Sequence, residues 1–295
     1  MKTTGYLSLG LILSLGAPAQ EPTVPDAPLY IGMLEGPQTD ASQPDAPVSS
    51  QPHVRIAFRK SGKGWQPLPT DFGSPAALAQ AANGYPPNMK WTVVLKGKVL
   101  GHISSRNPAV LHWYADIGTH IITDAADIPP EAKPLLLVSA PNYQEPAGWK
   151  SSALTKSERR LATAAFRRKV SATERCKAPE EQPIQRLAYD DDKIAIIGIY
   201  RSSTGELLVG EQLRDPQANC GFFNDEHYFN YWFVIRDRRW IRYLDSNMTP
   251  VVAADLDGSG QSAWIFVTAR GEDEHGYELF YDDFERRSYF HWTYH

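Results

Sequence analysis

Cysteine is scarce in this chain: Cys176 and Cys220 are the two present in 295 residues. Two thiols exclude a disulfide-dense scaffold, and they cannot build a thiolate zinc centre alone. Neither belongs to a C-x-x-C pair. An excess of one charge is also lacking. Lys and Arg total 30 against 34 Asp and Glu, for a net charge of -4, so neither a nucleic-acid partner nor a charged tail is expected. Beyond the N-terminal segment no apolar run is long enough to cross a bilayer as a helix. Walker-type and dinucleotide glycine patterns are missing, as is H-E-x-x-H, which removes the motif-level case for several large enzyme classes. Gly260-Gln261-Ser262-Ala263 begins like a nucleophile elbow, but Trp264 stands where the sharp turn needs a second glycine.

What is present points to an exported, β-rich protein. Hydrophobic residues make up 42%, aromatics 11%, and there are 23 prolines, a balance that favours short strands and turns over a helical bundle. Lys2, the apolar stretch from Tyr6 to Gly16, and Ala17-Pro18-Ala19 read as a signal peptide over 1–19, cleaved before Gln20. The expected location is therefore secreted or periplasmic. In such a compartment Cys176 and Cys220 are expected to form a disulfide, closing a loop of about 45 residues and contributing roughly 4 kcal/mol.

Residues 20–50 are rich in Pro, Ser, Ala, Asp and Gln and read as a disordered leader, with Leu29-Tyr30-Ile31 as the one part able to dock as a short strand. A β-rich N-terminal part is expected over 51–178. Its strands are Val54–Arg59, the hairpin of Trp91–Leu95 with Val99–Ile103, and Leu135–Ser139. One helix is expected from Lys156 to Val170, opened by a capping box of Thr155 and Glu158. Its basic residues Arg159, Arg160, Arg167, Arg168 and Lys169 read as a solvated face. From 179 to 295 the pattern is an antiparallel series of hairpins. The fold class expected is mainly β, sandwich or propeller-blade-like, with one packed helix; no internal repeat supports a full propeller.

The stretch Asp255-Leu256-Asp257-Gly258-Ser259-Gly260 lies between two apolar runs, Pro250–Ala254 and Trp264–Val267. It resembles the calcium loop of the FG-GAP and VCBS families, integrin-alpha-like propeller repeats that read D-x-[DN]-x-D-G-x-x-[DE]. Asp255, Asp257 and Gly260 fall on the first, third and sixth positions, whereas Ser259 and Ala263 replace the acidic fifth and ninth. The resemblance implies calcium as cofactor, held by Asp255, Asp257, Ser259 and the Gln261 carbonyl. The residues alone favour an Asx-type turn without metal, in which the aspartates accept backbone N–H groups, over calcium binding.

Two functions are expected from these signals. One is a non-enzymatic binding or structural protein with a protein or carbohydrate ligand, favoured because no catalytic motif is found. The other is an exported hydrolase using His102, His112 and His120 with carboxylates such as Asp116. The dense aromatics of the last twenty residues, among them Tyr277, Phe280, Phe290 and Trp292, fit a sheet core better than an exposed binding surface.

Overall fold

The structure is a computed structural model that describes residues 28–36, 52–70, 74–83, 85–95, 97–110, 117–122, 135–139, 143, 148–175, 185–214, 230–237, 239–270 and 274–293. Within them the chain is mainly antiparallel β, as its sequence leads one to expect.

The N-terminal strands are β1 (Tyr30–Glu35), β2 (His53–Ser61), β3 (Gly64–Pro67), β4 (Lys90–Leu95), β5 (Lys98–Val110), β6 (Ile117–Ile122) and β7 (Leu135–Val138). Their pairings run β1-β7-β4-β5-β6-β2, and β2 pairs back onto β1. The ring closes, making a six-stranded antiparallel barrel, with β3 folded back as a hairpin on β2 beyond the reach of β6. Closure matters because an open edge leaves backbone groups free to pair with other chains. Leu34, Val54, Ile56, Trp91, Val93 and Leu137 fill the interior.

β1 lies inside the segment expected as a disordered leader. Tyr30, Ile31, Met33 and Leu34 are all buried, and that apolar content outweighs the proline-rich flanks. The docking expected of Leu29-Tyr30-Ile31 thus extends to a six-residue strand paired on both sides. A short helix, α1 (Pro75–Ala82), was not expected; it has proline at its first position and is capped by Ser74 Oγ, 3.2 Å from the Ala77 N–H.

After β8 (Lys150–Ser151) comes α2 (Lys156–Lys169), one residue shorter than expected. The capping box is present: Glu158 N–H donates to Thr155 Oγ1 at 3.3 Å, and Thr155 N–H to the Glu158 carboxylate at 2.8 Å. Then follow a small ribbon, β9 (Thr173–Arg175) with β10 (Gln185–Leu187), and β11 (Ile194–Arg201), β12 (Leu207–Leu213), β13 (Tyr231–Arg236) and β14 (Trp240–Ser246). These last four and β8 form a five-stranded sheet, order β14-β13-β12-β11-β8. β15 (Met248–Ala254), β16 (Ala263–Arg270), β17 (Glu274–Tyr281) and β18 (Arg286–Thr293) form a four-stranded meander.

The four-stranded sheet is the middle layer. One face, with Ala254, Ile265, Leu279 and Phe290, packs on Ile31, Met33, Phe58 and Leu136 from the outside of the barrel. The other, with Trp264, Phe266 and Phe280, packs on Leu208, Trp232 and Val234 of the five-stranded sheet. A strand covered on both faces loses the polar alternation of a half-exposed one, which explains the run Trp264-Ile265-Phe266-Val267. The Trp232 indole N–H ties the two sheets by donating to the Met248 carbonyl at 2.8 Å. Its ring lies over Gly210, where an added Cβ would meet the indole at 2.6 Å.

The far face of the five-stranded sheet, Leu207, Val209, Phe233 and Ile235, is covered by Ala162, Ala165 and Phe166 of α2. Glu158 anchors the helix: Arg201 grips its carboxylate at 3.1 and 3.0 Å. Those Arg201 hydrogen bonds, helped by the Thr155 N–H, outweigh burial and hold the Glu158 carboxyl at about 2. Glu211, on β12, is the exception to this pairing. It is fully buried and, among the described residues, neither carboxylate oxygen has a hydrogen-bond partner. Burial pushes its carboxyl up to about 8, against the opposing pull of the Arg159 charge.

Candidate functional site

The Asp255 loop is a corner between two paired strands, since Ala254 and Ala263 are register partners. Its aspartates are turned inward. Asp255 is buried, its Oδ1 accepting the Ser259 N–H and its Oδ2 the Gly260 N–H, both at 3.0 Å. Asp257 Oδ1 accepts the Ser259 N–H at 3.2 Å, and Ser259 Oγ accepts the Gln261 N–H at 3.4 Å. Gly258 and Gly260 take φ of +70° and +81°, a region open to glycine at no steric cost, which lets the loop turn back on those carboxylates.

The remaining oxygen, Asp257 Oδ2, is hydrogen-bonded and ion-paired to Lys60 Nζ, which reaches across from β2 of the barrel. Burial pushes the Asp257 carboxyl up, but the hydrogen bonds from Lys60 and Ser259 and the Lys60 charge outweigh it and hold it below the usual range. Calcium takes six to eight oxygen ligands. Here the aspartate oxygens are committed to backbone N–H groups and to an ammonium, and Lys60 Nζ supplies the positive charge that a cation would bring. Among the described residues no group of three or more His, Cys, Asp or Glu side chains gathers around a common point. The donor set therefore suits the Asx-type corner, and a calcium ion fits it poorly unless Lys60 leaves.

Lys60 brings the corner up to the β2–β3 turn, and a recess of about 350 Å³ opens between them. The barrel contributes Lys60, Lys63 and Trp65; the meander contributes Asp257, Ser259, Gln261, Ser262, Tyr281, Asp282 and Arg286. Two rings are capped by cations: Lys60 Nζ lies 5.1 Å from the Trp65 centroid, and the Arg286 guanidinium 5.0 Å from that of Tyr281. Arg286 also donates to the Lys63 carbonyl at 2.9 Å. Sequence reasoning reached Asp257, Ser259 and Gln261 but not the recess, because Lys60, Lys63 and Arg286 come from two distant hairpins and no local pattern reports that they meet.

A second polar cluster went unforeseen. Glu35 at the end of β1 accepts from His53 Nε2 at 2.8 Å, from Arg55 at 2.9 and 3.1 Å, and from the Tyr277 hydroxyl of β17. Burial raises the Glu35 carboxyl, but the Arg55 charge and the hydrogen bonds from His53 and Arg55 dominate and hold it far below the carboxylate range. Arg55 also lies 4.0 Å from the Trp292 ring centroid. Glu35 with Tyr277, Lys60 with Asp257 and Arg286 with the Lys63 carbonyl all tie the barrel to the meander.

The histidines of the hydrolase reading are not seen to converge. His102 is exposed on β5, its Nδ1 3.3 Å from Thr92 Oγ1. His120 is placed in β6 as the register partner of His53. His112 and Asp116 lie outside the described residues, as do Cys176 and Cys220. The C-terminal aromatics Tyr277, Phe280, Tyr281, Phe284, Phe290 and Trp292 are buried and belong to the core. No protein-family model matches the chain, and neither does any curated protein or solved structure.

Proposed function

We propose that this chain is an exported, non-enzymatic binding protein that takes a carbohydrate in the recess between the β2–β3 turn and the Asp255 corner. One observation carries the reading: hydrogen-bonding side chains and two aromatic rings from separate layers converge on one cavity of about 350 Å³. Ligand sites are concave, of roughly 300–1,000 Å³, with an apolar floor and a few placed polar groups. The rims of Trp65 and Tyr281, rings otherwise buried in the core, supply the apolar floor, and Gln261 and Ser259 supply donors and acceptors suited to hydroxyl groups. The Asp255 corner serves as a rigid wall, with Lys60 in the place of a calcium ion. Export rests on the signal-peptide pattern of residues 1–19.

The test is calorimetric titration of the protein with a panel of mono- and oligosaccharides, with tryptophan fluorescence as a second readout. Binding that weakens on Gln261→Ala and loses its fluorescence response on Trp65→Phe is the expected result. A panel without a ligand at millimolar concentration, or affinities indifferent to both substitutions, refutes the reading.

A further inference from the structure

We infer that the recess selects an anionic sugar, with its carboxylate or phosphate seated on Arg286 beside Lys63. This rests on the carbohydrate reading above and adds the ligand's charge. Of the three cations at the recess, Lys60 is neutralised by Asp257. Arg286 is not neutralised. Unlike Arg236 and Arg287, which pair with carboxylates, Arg286 has no carboxylate partner among the described residues, a state it shares with exposed arginines such as Arg160 and Arg168.

An unpaired surface arginine is ordinarily a mobile side chain, but this one is held on three sides. One Nη donates to the Lys63 carbonyl at 2.9 Å. The guanidinium stands over Tyr281, 5.0 Å from the ring centroid. The other Nη lies against Gly64, so close that an added Cβ would meet it at 2.7 Å. The glycine leaves the space that the guanidinium fills. A planar fork fixed before the ligand arrives loses little entropy on binding, and its geometry matches two oxygens of a carboxylate or phosphate. Lys63 adds a second positive charge at the same rim. Gln261, from the Asp255 corner, and Asp282, in the hairpin turn that leads into Arg286, offer acceptors for the sugar hydroxyls. An anion without hydroxyls would leave those acceptors unused, so the sugar is part of the specification.

The experiment titrates the full chain with a uronic-acid oligosaccharide, a sugar phosphate, their neutral parent sugar and inorganic phosphate. Each is measured at low salt and at about 0.5 M salt, where exposed charges are screened. At low salt one or both acidic sugars should bind about tenfold or more tighter than the neutral parent, and the gap should narrow at high salt. The tighter of the two identifies the anionic group. Arg286→Lys, which keeps the charge but loses the fork, should cost about tenfold in affinity for the acidic sugar and leave the melting temperature unmoved. Equal affinity for neutral and acidic sugars overturns the inference while the carbohydrate reading stands. Binding of no sugar overturns both. Inorganic phosphate binding as tightly as the acidic sugars overturns the sugar requirement.

Discussion

Replacing Glu211 with glutamine should stabilise this protein by an amount that grows with pH. The carboxyl is enclosed by the five-stranded sheet and α2, and neither oxygen has a hydrogen-bond partner among the described residues. Arg159 of α2 attracts its ionised form, but burial wins, moving the group from 4.5 to about 8. The folded state therefore binds the proton more tightly than the unfolded chain. Stability from this group is fully present below the unfolded value of 4.5 and is lost as pH rises through about 8. The loss is about 2–3 kcal/mol between pH 5 and pH 7 and approaches about 5 kcal/mol above pH 8. Glutamine keeps the shape and cannot ionise, so it removes this slope. Urea melts of both proteins at pH 5, 6, 7 and 8 measure it. The difference in unfolding free energy should widen with pH in favour of the variant. A difference that is flat across the range refutes the burial argument.

Three further outcomes follow from packing and charge. Glu35→Ala leaves Arg55 and His53 buried without their carboxylate and should cost about 3–5 kcal/mol in a denaturant melt, the usual result of breaking a buried ion pair. Millimolar calcium and a chelator should each leave the wild-type melting temperature unmoved, because Lys60 Nζ holds Asp257; a clear rise with calcium refutes that assignment. Gly210→Ala puts a methyl group into the Trp232 ring and should destabilise by about 1–3 kcal/mol, with a change in the near-UV circular dichroism of tryptophan.

Local features were legible in the sequence and non-local ones were not. The capping box at Thr155 and Glu158 is written within four residues, and the helix follows it almost to the expected end. Hairpins such as β13–β14 and β16–β17 are likewise short-range patterns. Barrel closure depends on Tyr30–Glu35 pairing with His53–Ser61 across a proline-rich stretch, and no periodicity reports a pairing. The Asp255 corner was readable as either a metal loop or an Asx-type turn. The residue that separates them, Lys60, lies 197 positions away in the chain. Glu211 hides for a different reason: in Gly210-Glu211-Gln212 it reads as the polar half of an alternating strand, and the helix that covers it is encoded elsewhere.

The placement of the meander sets the order in which this chain can complete itself. Residues 248–293 leave the ribosome after the barrel strands and the five-stranded sheet, yet they fill the layer between them. Until they arrive, two apolar walls face solvent: Ile31, Met33, Phe58 and Leu136 on one, Leu208, Trp232 and Val234 on the other. Unfinished chains therefore carry exposed surface of the kind that drives aggregation and recruits chaperones. A stop codon near residue 247 would leave both walls bare and should yield an insoluble product, however well each half can form its own hydrogen bonds.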